Sequence, residues 1–259
     1  MMRLIITFAF VLSLTIAGRS QVPVPGMALI PDGIFKPFFT SSNDARVVRV
    51  KSFQMDILPV TTADYLEFVR ANPVWRKSWA KRALADELYL KNWETDLDPG
   101  AATPMNAPVT FVSWYAVRAY AEWKNKRLPT IAEWELVASA GITRVDGEND
   151  PQFRKLVQQW YTTPSPAQLP PVGSGPTNFW GVQNLHGLVW EWTSDCVSPI
   201  EAADARSVPA PARDLFCGAG AQGARDGGDF PAFMRYGFRS SLKANYCVHN
   251  LGFRCAKNR

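Results

Sequence analysis

Three segments in the first half of the chain carry apolar side chains at the spacing of an amphipathic helix. The first follows Thr61 or Thr62, either of which can cap a helix, and the second follows Ser113. The third follows Thr130 and has Gly141 as a stop signal. The three apolar faces consist of Tyr65, Leu66 and Val69, then Trp114, Val117, Tyr120 and Ala121, then Trp134, Val137 and Ala138. The pattern therefore predicts three helices.

The start of the third helix is the clearest local signal in the chain. Thr130 and Glu133 have the spacing of a capping box, in which a hydroxyl and a carboxylate each accept a hydrogen bond from an exposed backbone N–H group. This arrangement predicts a helix that begins directly after Thr130.

Short apolar or alternating runs predict strands before and after these helices. They are residues 26–33, 47–50, 53–56, 188–192 and 251–255. Residues 142–180 are polar and rich in proline, and residues from about 198 to 228 combine Ala, Pro, Gly and Arg, so both stretches are predicted to be loops. Helices early in the chain, followed by short strands among long loops, predict one α+β domain with much irregular structure.

The N-terminus has the pattern of an export signal. Arg3 precedes the apolar run Leu4–Ile16, which is short for a membrane span, and Ala17 and Gly18 offer small residues for cleavage. Residues 1–20 are therefore predicted to be a signal peptide and residues 21–259 the mature domain, periplasmic or secreted. The alternative is an uncleaved anchor. The sequence predicts no stable membrane span after cleavage.

The charge pattern bears on possible partners. The chain has a formal net charge of +5, and its charges are interspersed rather than clustered. Export and the lack of a basic stripe argue against nucleic acid as a partner. A mildly basic exported protein can favour anionic surfaces, although a solvated surface is the simpler interpretation.

Four cysteines, Cys196, Cys217, Cys247 and Cys255, are available for pairing. An even number in an oxidising compartment predicts two disulfides, and the residues alone leave three pairings open. Cys247 and His249 offer an alternative site for a soft metal such as copper. Copper or iron has no further support in the sequence.

Four blocks resemble the formylglycine-generating enzyme (sulfatase-modifying factor) family. Residues 108–117 read PVTFVSWYAV, and residues 126–135 read KRLPTIAEWE. Residues 180–195 read WGVQNLHGLVWEWTSD, and residues 250–255 read NLGFRC. These blocks occur in the family's order, and residues 26–33 fit its opening segment. The resemblance implies a variant of the C-type lectin fold that is rich in irregular loops.

The resemblance also implies a structural calcium ion within residues 180–195. Its ligands here would be the side chains of Asn184 and Glu191 and the carbonyl groups of Gly187 and Val189. Calcium prefers such a mixture of carboxylate, amide and backbone oxygens. The alternative is that Glu191 pairs with an arginine.

The catalytic thiols expected from the resemblance are missing. The family's oxidase uses two cysteines near its C-terminus to bind copper and activate oxygen, and Ala232 and Gly237 stand at those positions. Neither residue can replace a thiolate ligand, so formylglycine formation is not expected. In some relatives the partner of the terminal cysteine stands where this chain has Ala121, so Cys255 needs a different partner. We therefore expect the disulfide pairs Cys217–Cys255 and Cys196–Cys247.

The same segment retains residues that can line a ligand cleft, namely Asp229, Arg235, Tyr236 and Arg239. The functional interpretation is a wall in which the arginines hold a carboxylate or another anion. The structural interpretation is that the arginines stack on aromatic rings and donate hydrogen bonds to backbone carbonyl groups.

Two functions are compatible with these observations. The first is binding of a secreted peptide, protein or glycan, or assistance in the maturation of an envelope enzyme. The second is a metal-dependent oxidoreductase that acts on a secreted peptide or small molecule without the cysteine pair. Whether the chain is an enzyme is left open by its sequence.

Overall fold

The computed structural model describes residues 24–36, 47–147, 149–197 and 230–259. The strands are β1 Met27–Ile30, β2 Gly33–Phe35, β3 Val48–Val50, β4 Phe53–Asp56, β5 Trp190–Glu191, β6 Leu251–Gly252 and β7 Ala256–Asn258. The helices are α1 Thr62–Ala71, α2 Trp114–Trp123, α3 Ile131–Ala138, α4 Pro151–Thr162 and α5 Phe230–Ser241, with short 3₁₀ turns at Pro73–Trp75 and Ser194–Val197. The mixture of helices and short strands confirms the α+β class. No helix within these ranges is long and apolar enough to cross a bilayer.

The central sheet joins the two ends of the described chain. Its strand order is β1-β4-β7, and both pairs are antiparallel. Met55 lies opposite Ala28 on one side and Ala256 on the other. The strands β2 and β3 form a separate antiparallel pair, and β5 and β6 form a short parallel pair.

The three predicted helices begin where the sequence indicates. Thr61 caps α1 in a reciprocal capping box with Asp64, and the Ser113 hydroxyl accepts a hydrogen bond from the third residue of α2. Thr130 and Glu133 form the predicted capping box of α3. The side chain of each cap accepts a backbone N–H that no carbonyl within the helix can reach.

The helix α4 lies in the stretch that was predicted to be a loop. Pro151 occupies the first turn, where its missing N–H costs nothing, and Asp150 caps the helix by accepting from two backbone N–H groups. Phe153 and Val157 are four residues apart and both are buried. The prediction was wrong here because the prolines nearby were weighted more heavily than this amphipathic spacing.

Two apolar clusters form the interior. The larger lies around α1 and α2, where the Tyr65 ring stacks on that of Tyr120 with centroids 5.8 Å apart. The smaller lies between the central sheet and α3 and includes Met55 and Trp134. The block at residues 126–135 connects these regions, because Leu128 lies in the larger cluster and Trp134 in the smaller one. Lys126 also bonds to Asp56 of β4 over 2.6 Å. That block therefore has a structural role in this fold.

Candidate functional site

A fully buried ion pair occupies the position expected for calcium. The Arg254 guanidinium donates to both carboxylate oxygens of Glu191 at 2.8–3.0 Å, and neither side chain is exposed. Its remaining N–H groups donate to the carbonyl oxygens of Asp56, Ile57 and Gln183 at 2.8–3.1 Å. All five guanidinium hydrogens thus have acceptors, which is the condition for burying a charge at tolerable cost.

The side-chain oxygens expected to bind calcium have protein donors. The Trp134 indole N–H donates to Glu191 over 2.7 Å, so each Glu191 oxygen accepts two hydrogen bonds. The Asn184 side-chain oxygen accepts from the backbone N–H of Gly173 over 2.6 Å. A carboxylate oxygen with two donors has no lone pair left for a cation. As arranged here, these residues do not fit a calcium ion, and Glu191 follows the ion-pair alternative.

A second buried carboxylate binds the two arginines predicted for the cleft. Glu135 of α3 accepts from Arg235 at 2.8–3.0 Å and from Arg239 at 2.5 Å. Arg235 also donates to the Tyr161 hydroxyl over 3.2 Å, and both arginines lie over the Trp134 ring. Burial alone would raise the pKa of Glu135, but the two guanidinium groups outweigh it and lower the pKa from 4.5 to about 2.

The predicted cleft residues therefore separate in the structure. Arg235 and Arg239 are each 9% exposed and face inward, so the anion that they hold belongs to the protein. Tyr236 is half-buried on another side of α5. Asp229 lies outside the described residues. Arg235 and Arg239 stack on an aromatic ring as the structural interpretation expects, but their partner is the Glu135 carboxylate and not a backbone carbonyl group.

The positions of the expected thiols lie on α5. Gly237 is exposed, and nothing lies within 4 Å of where its Cβ would be, whereas Ala232 is half-buried. The thiols of Cys247 and Cys255 are free and buried, and burial raises the pKa of both. Cys217 and the side chain of Cys196 lie outside the described residues, so the two disulfide pairs stay predictions.

The alternative metal site does not come together either. Cys247 is buried and donates from its sulfur to the carbonyl oxygen of Asn245 over 3.5 Å, whereas His249 is exposed. Among the described residues, no group of three or more His, Cys, Asp or Glu side chains is placed to hold a metal ion.

Four half-buried rings line the surface next to the Glu135 cluster, and we call them the aromatic face. Trp190 stacks on Phe238 with centroids 4.2 Å apart, and Trp160 and Tyr161 pack on Trp190 at 5.4 and 5.3 Å. The face joins α4, β5 and α5. Sequence reasoning missed it because α4 was not predicted, although Trp160 continues the spacing of Phe153 and Val157.

His186 lies below the aromatic face as a neutral side chain. Its Nε2 is 3.0 Å from the Ala138 carbonyl oxygen, which can only accept, so Nε2 carries the hydrogen. The rings of Trp134, Phe153, Trp160 and Tyr161 surround it at 5.8–6.3 Å. Burial lowers the pKa of His186 from 6.5 to about 4, because the charged form would lose its hydration.

Comparison with known proteins adds family information to this geometry. Residues 14–259 match the FGE-sulfatase family, described as a sulfatase-modifying factor enzyme 1-like domain. The inactive C-alpha-formylglycine-generating enzyme 2 of Bos taurus is 31% identical over 69% of this chain and 72% of its own length. The formylglycine-generating enzyme of Thermomonospora curvata is 31% identical over 89% of this chain and 93% of its own.

Other relatives share less. The serine/threonine-protein kinase pkn1 of Chlamydia pneumoniae is 27% identical over 82% of this chain, which spans about a third (34%) of that relative's length. The structure of PvdO from Pseudomonas aeruginosa superposes with a TM-score of 0.51 at 21% identity and covers 90% of this chain and 94% of its own. The structure of CarF has the same TM-score at 17% identity and covers 90% of this chain and 98% of its own. These two structures show a shared fold.

Proposed function

This chain belongs to the sulfatase-modifying factor enzyme 1-like domain family, and from that premise we propose that it is a non-catalytic, exported binding protein of the family. It would hold an extended segment of a secreted peptide or protein on the aromatic face. The composition of α5 is the main support for this proposal. It has Ala232 and Gly237 at the positions expected for the thiols. Its two buried arginines, Arg235 and Arg239, are bound to Glu135.

The described thiols do not supply the missing chemistry. A nucleophile or copper ligand must be a thiolate, and a raised pKa keeps Cys247 and Cys255 protonated near neutral pH. Both side chains are also buried in the larger apolar cluster. The relative from Bos taurus with the word inactive in its name is consistent with a non-catalytic member.

The aromatic face suits an apolar or aromatic side chain of a partner. Half-buried Trp and Phe rings offer a large apolar area at small entropic cost, and such rings dominate the energetics of many interfaces. Two carboxylates of neighbouring elements, Glu135 and Glu191, are both bound to buried arginines and are not available to sugar hydroxyl groups. This favours a peptide over a glycan.

Selection of binding peptides from a displayed random library tests the proposal. A glycan array, probed in parallel, tests the alternative that the ligand is a glycan. We expect peptides with aromatic or aliphatic anchors to be enriched. Phe238→Ala should weaken the binding of these peptides about tenfold or more, which is the usual effect of removing an interface anchor. Phe233→Ala is the matched control on α5, because Phe233 is 51% exposed and lies outside the stack. Enrichment of glycans alone, or equal effects of the two variants, would contradict the proposal.

Catalysis is tested separately. Incubation with a sulfatase-motif peptide should yield no aldehyde, and formation of an aldehyde would show that the family reaction persists. A role in the maturation of an envelope enzyme would appear as co-purification of that enzyme in a manner that depends on Phe238.

A metal-dependent oxidoreductase is the second candidate. It is favoured by the similarity to the hercynine oxygenase of Mycolicibacterium smegmatis, which is 32% identical over 71% of this chain and 47% of its own length. Elemental mass spectrometry on protein purified without chelator separates the candidates. About one calcium per chain would support the predicted structural ion, and near-stoichiometric copper or iron would support the oxidoreductase.

A further inference from the structure

A second surface, unrelated to the aromatic face, lies in the segment that follows α1. Residues 73–82 read PVWRKSWAKR and contain four basic and no acidic residues. Val74 and Trp79 are 65% and 60% exposed, which makes them the two most exposed large apolar side chains among the residues that the structure describes. We call residues 73–82 the basic-aromatic segment.

The protein holds this segment rigidly although it is mostly irregular. The carbonyl oxygen of Trp75 accepts from the buried Tyr89 hydroxyl over 2.9 Å, and Lys77 donates to the carbonyl oxygen of Trp93. The backbone N–H and the hydroxyl of Ser78 donate to Asp96 at 2.7 and 2.6 Å. The exposed side chains are therefore presented by a fixed backbone, which lowers the entropic cost of binding.

The exposed charges of the segment are positive. Lys81 and Arg82 are exposed, and the Arg76 guanidinium lies 5.9 Å from the centre of the Trp79 ring. The Nε atom of Arg76 is buried without an acceptor, so this donor is not satisfied by the protein. The carboxylate bonded to the segment is Asp96, which leaves an excess of positive charge.

From these observations, we propose that the basic-aromatic segment binds the surface of an anionic lipid bilayer. Basic side chains would contact lipid phosphates, and Trp79 and Val74 would enter the boundary between headgroups and acyl chains. Positive charge alone would suit any polyanion. An exposed tryptophan and valine beside that charge favour a bilayer, because tryptophan is enriched at this boundary.

Co-sedimentation with vesicles tests the proposal on the full protein purified from an exporting host. We expect binding to vesicles that contain phosphatidylglycerol and weak binding to pure phosphatidylcholine. Lys81→Gln with Arg82→Gln should weaken binding about thirtyfold, since each basic residue contributes about fivefold. Arg154→Gln with Lys155→Gln is the matched control, because these adjacent residues of α4 are also exposed. The control pair should change binding less than twofold.

The apolar part has its own test. Trp79→Ala should weaken vesicle binding about tenfold, whereas Phe179→Ala, which removes a ring that is 46% exposed elsewhere, should leave it unchanged. Equal binding to neutral and anionic vesicles would overturn the proposal, because it would place the affinity outside the basic residues. Equal effects of the two charge variants would also overturn it. The proposal would likewise be overturned if the protein bound soluble heparin as tightly as vesicles and if Trp79→Ala did not change the affinity for heparin.

Discussion

The clearest prediction concerns Glu135, the carboxylate that holds α5 against α3. Changing Glu135→Gln keeps the size of the side chain but removes its charge. The Arg235 and Arg239 guanidinium groups then remain buried without a counter-charge, because both are 9% exposed and Glu135 is the carboxylate that they contact. We expect a large loss of stability.

The magnitude follows from two independent arguments. Removing one partner of a buried ion pair costs about 3–5 kcal/mol in other proteins. The pKa of Glu135, lowered from 4.5 to about 2, corresponds to about 3 kcal/mol in favour of the charged form, since each tenfold change in an acidity constant is worth about 1.4 kcal/mol. For a domain of this size, 3 kcal/mol lowers the melting temperature by about 6–12 °C.

Urea unfolding at several pH values is the appropriate assay. Glu135 has a lowered pKa in the folded state, so its contribution is present above about pH 4.5 and is lost as the pH falls toward about 2. The difference between wild type and Glu135→Gln should therefore be largest near neutral pH and shrink in acid. Glu122→Gln is the control, because the Arg118–Glu122 pair is about 60% exposed (59% and 61%) and should contribute less than about 1 kcal/mol.

A loss below about 1 kcal/mol for Glu135→Gln would refute this reasoning. A further check replaces the three charged residues together, with Glu135→Leu, Arg235→Met and Arg239→Met. Stability should return close to the wild-type value, since well-packed apolar groups replace a buried ion cluster at little or no cost. A triple variant as unstable as Glu135→Gln would mean that the loss does not come from the uncompensated charge.

Three further predictions rest on single buried groups. Glu191→Gln should cost about 3–5 kcal/mol by leaving its arginine partner without a counter-charge, and a chelator should not reproduce that loss in the wild type. A chelator-induced loss of the same size would contradict the ion-pair assignment. Cys247 and Cys255 should resist a thiol reagent in the native protein, and rapid native labelling would contradict their burial. In urea both should react, with a reductant required wherever the predicted disulfide pairs have formed. His186 binds a proton only in the unfolded state between about pH 6.5 and 4. Stability should therefore decrease as the pH is lowered from 6.5 to 4, by up to about 1.4 kcal/mol per pH unit. His186→Gln should remove that slope, whereas His249→Gln, which changes the other histidine in the chain, should keep it.

Local signals predicted the early part of the fold well. Thr61, Ser113 and Thr130 each cap a helix at the expected place, because a capping interaction spans only three residues. The strands β3 and β4 also match their predicted runs closely. The predicted strand at 188–192 shortens to Trp190–Glu191, because its partner β6 is equally short.

The candidate site was harder to predict because its contacts connect distant residues. Glu135 and Arg235 are 100 positions apart, and nothing in either local pattern indicates the pairing. The resemblance drew attention to Arg235 and Arg239 as ligand-binding groups, whereas their partner lies inside the 126–135 block of the same chain. The aromatic face depends on α4, which lies in a polar, proline-rich stretch that was predicted to be a loop.

The position of β7 has a consequence for the order in which this chain folds. Residues 256–258 supply one edge of the central sheet, and Arg254 binds carbonyl groups nearly 200 positions earlier, at a separation of 198 residues. Such distant contacts close a long loop and slow folding, and they cannot form until these residues have emerged from the ribosome. The residues before β7 are therefore synthesised before the central sheet can close, so this sheet forms only after they have left the ribosome.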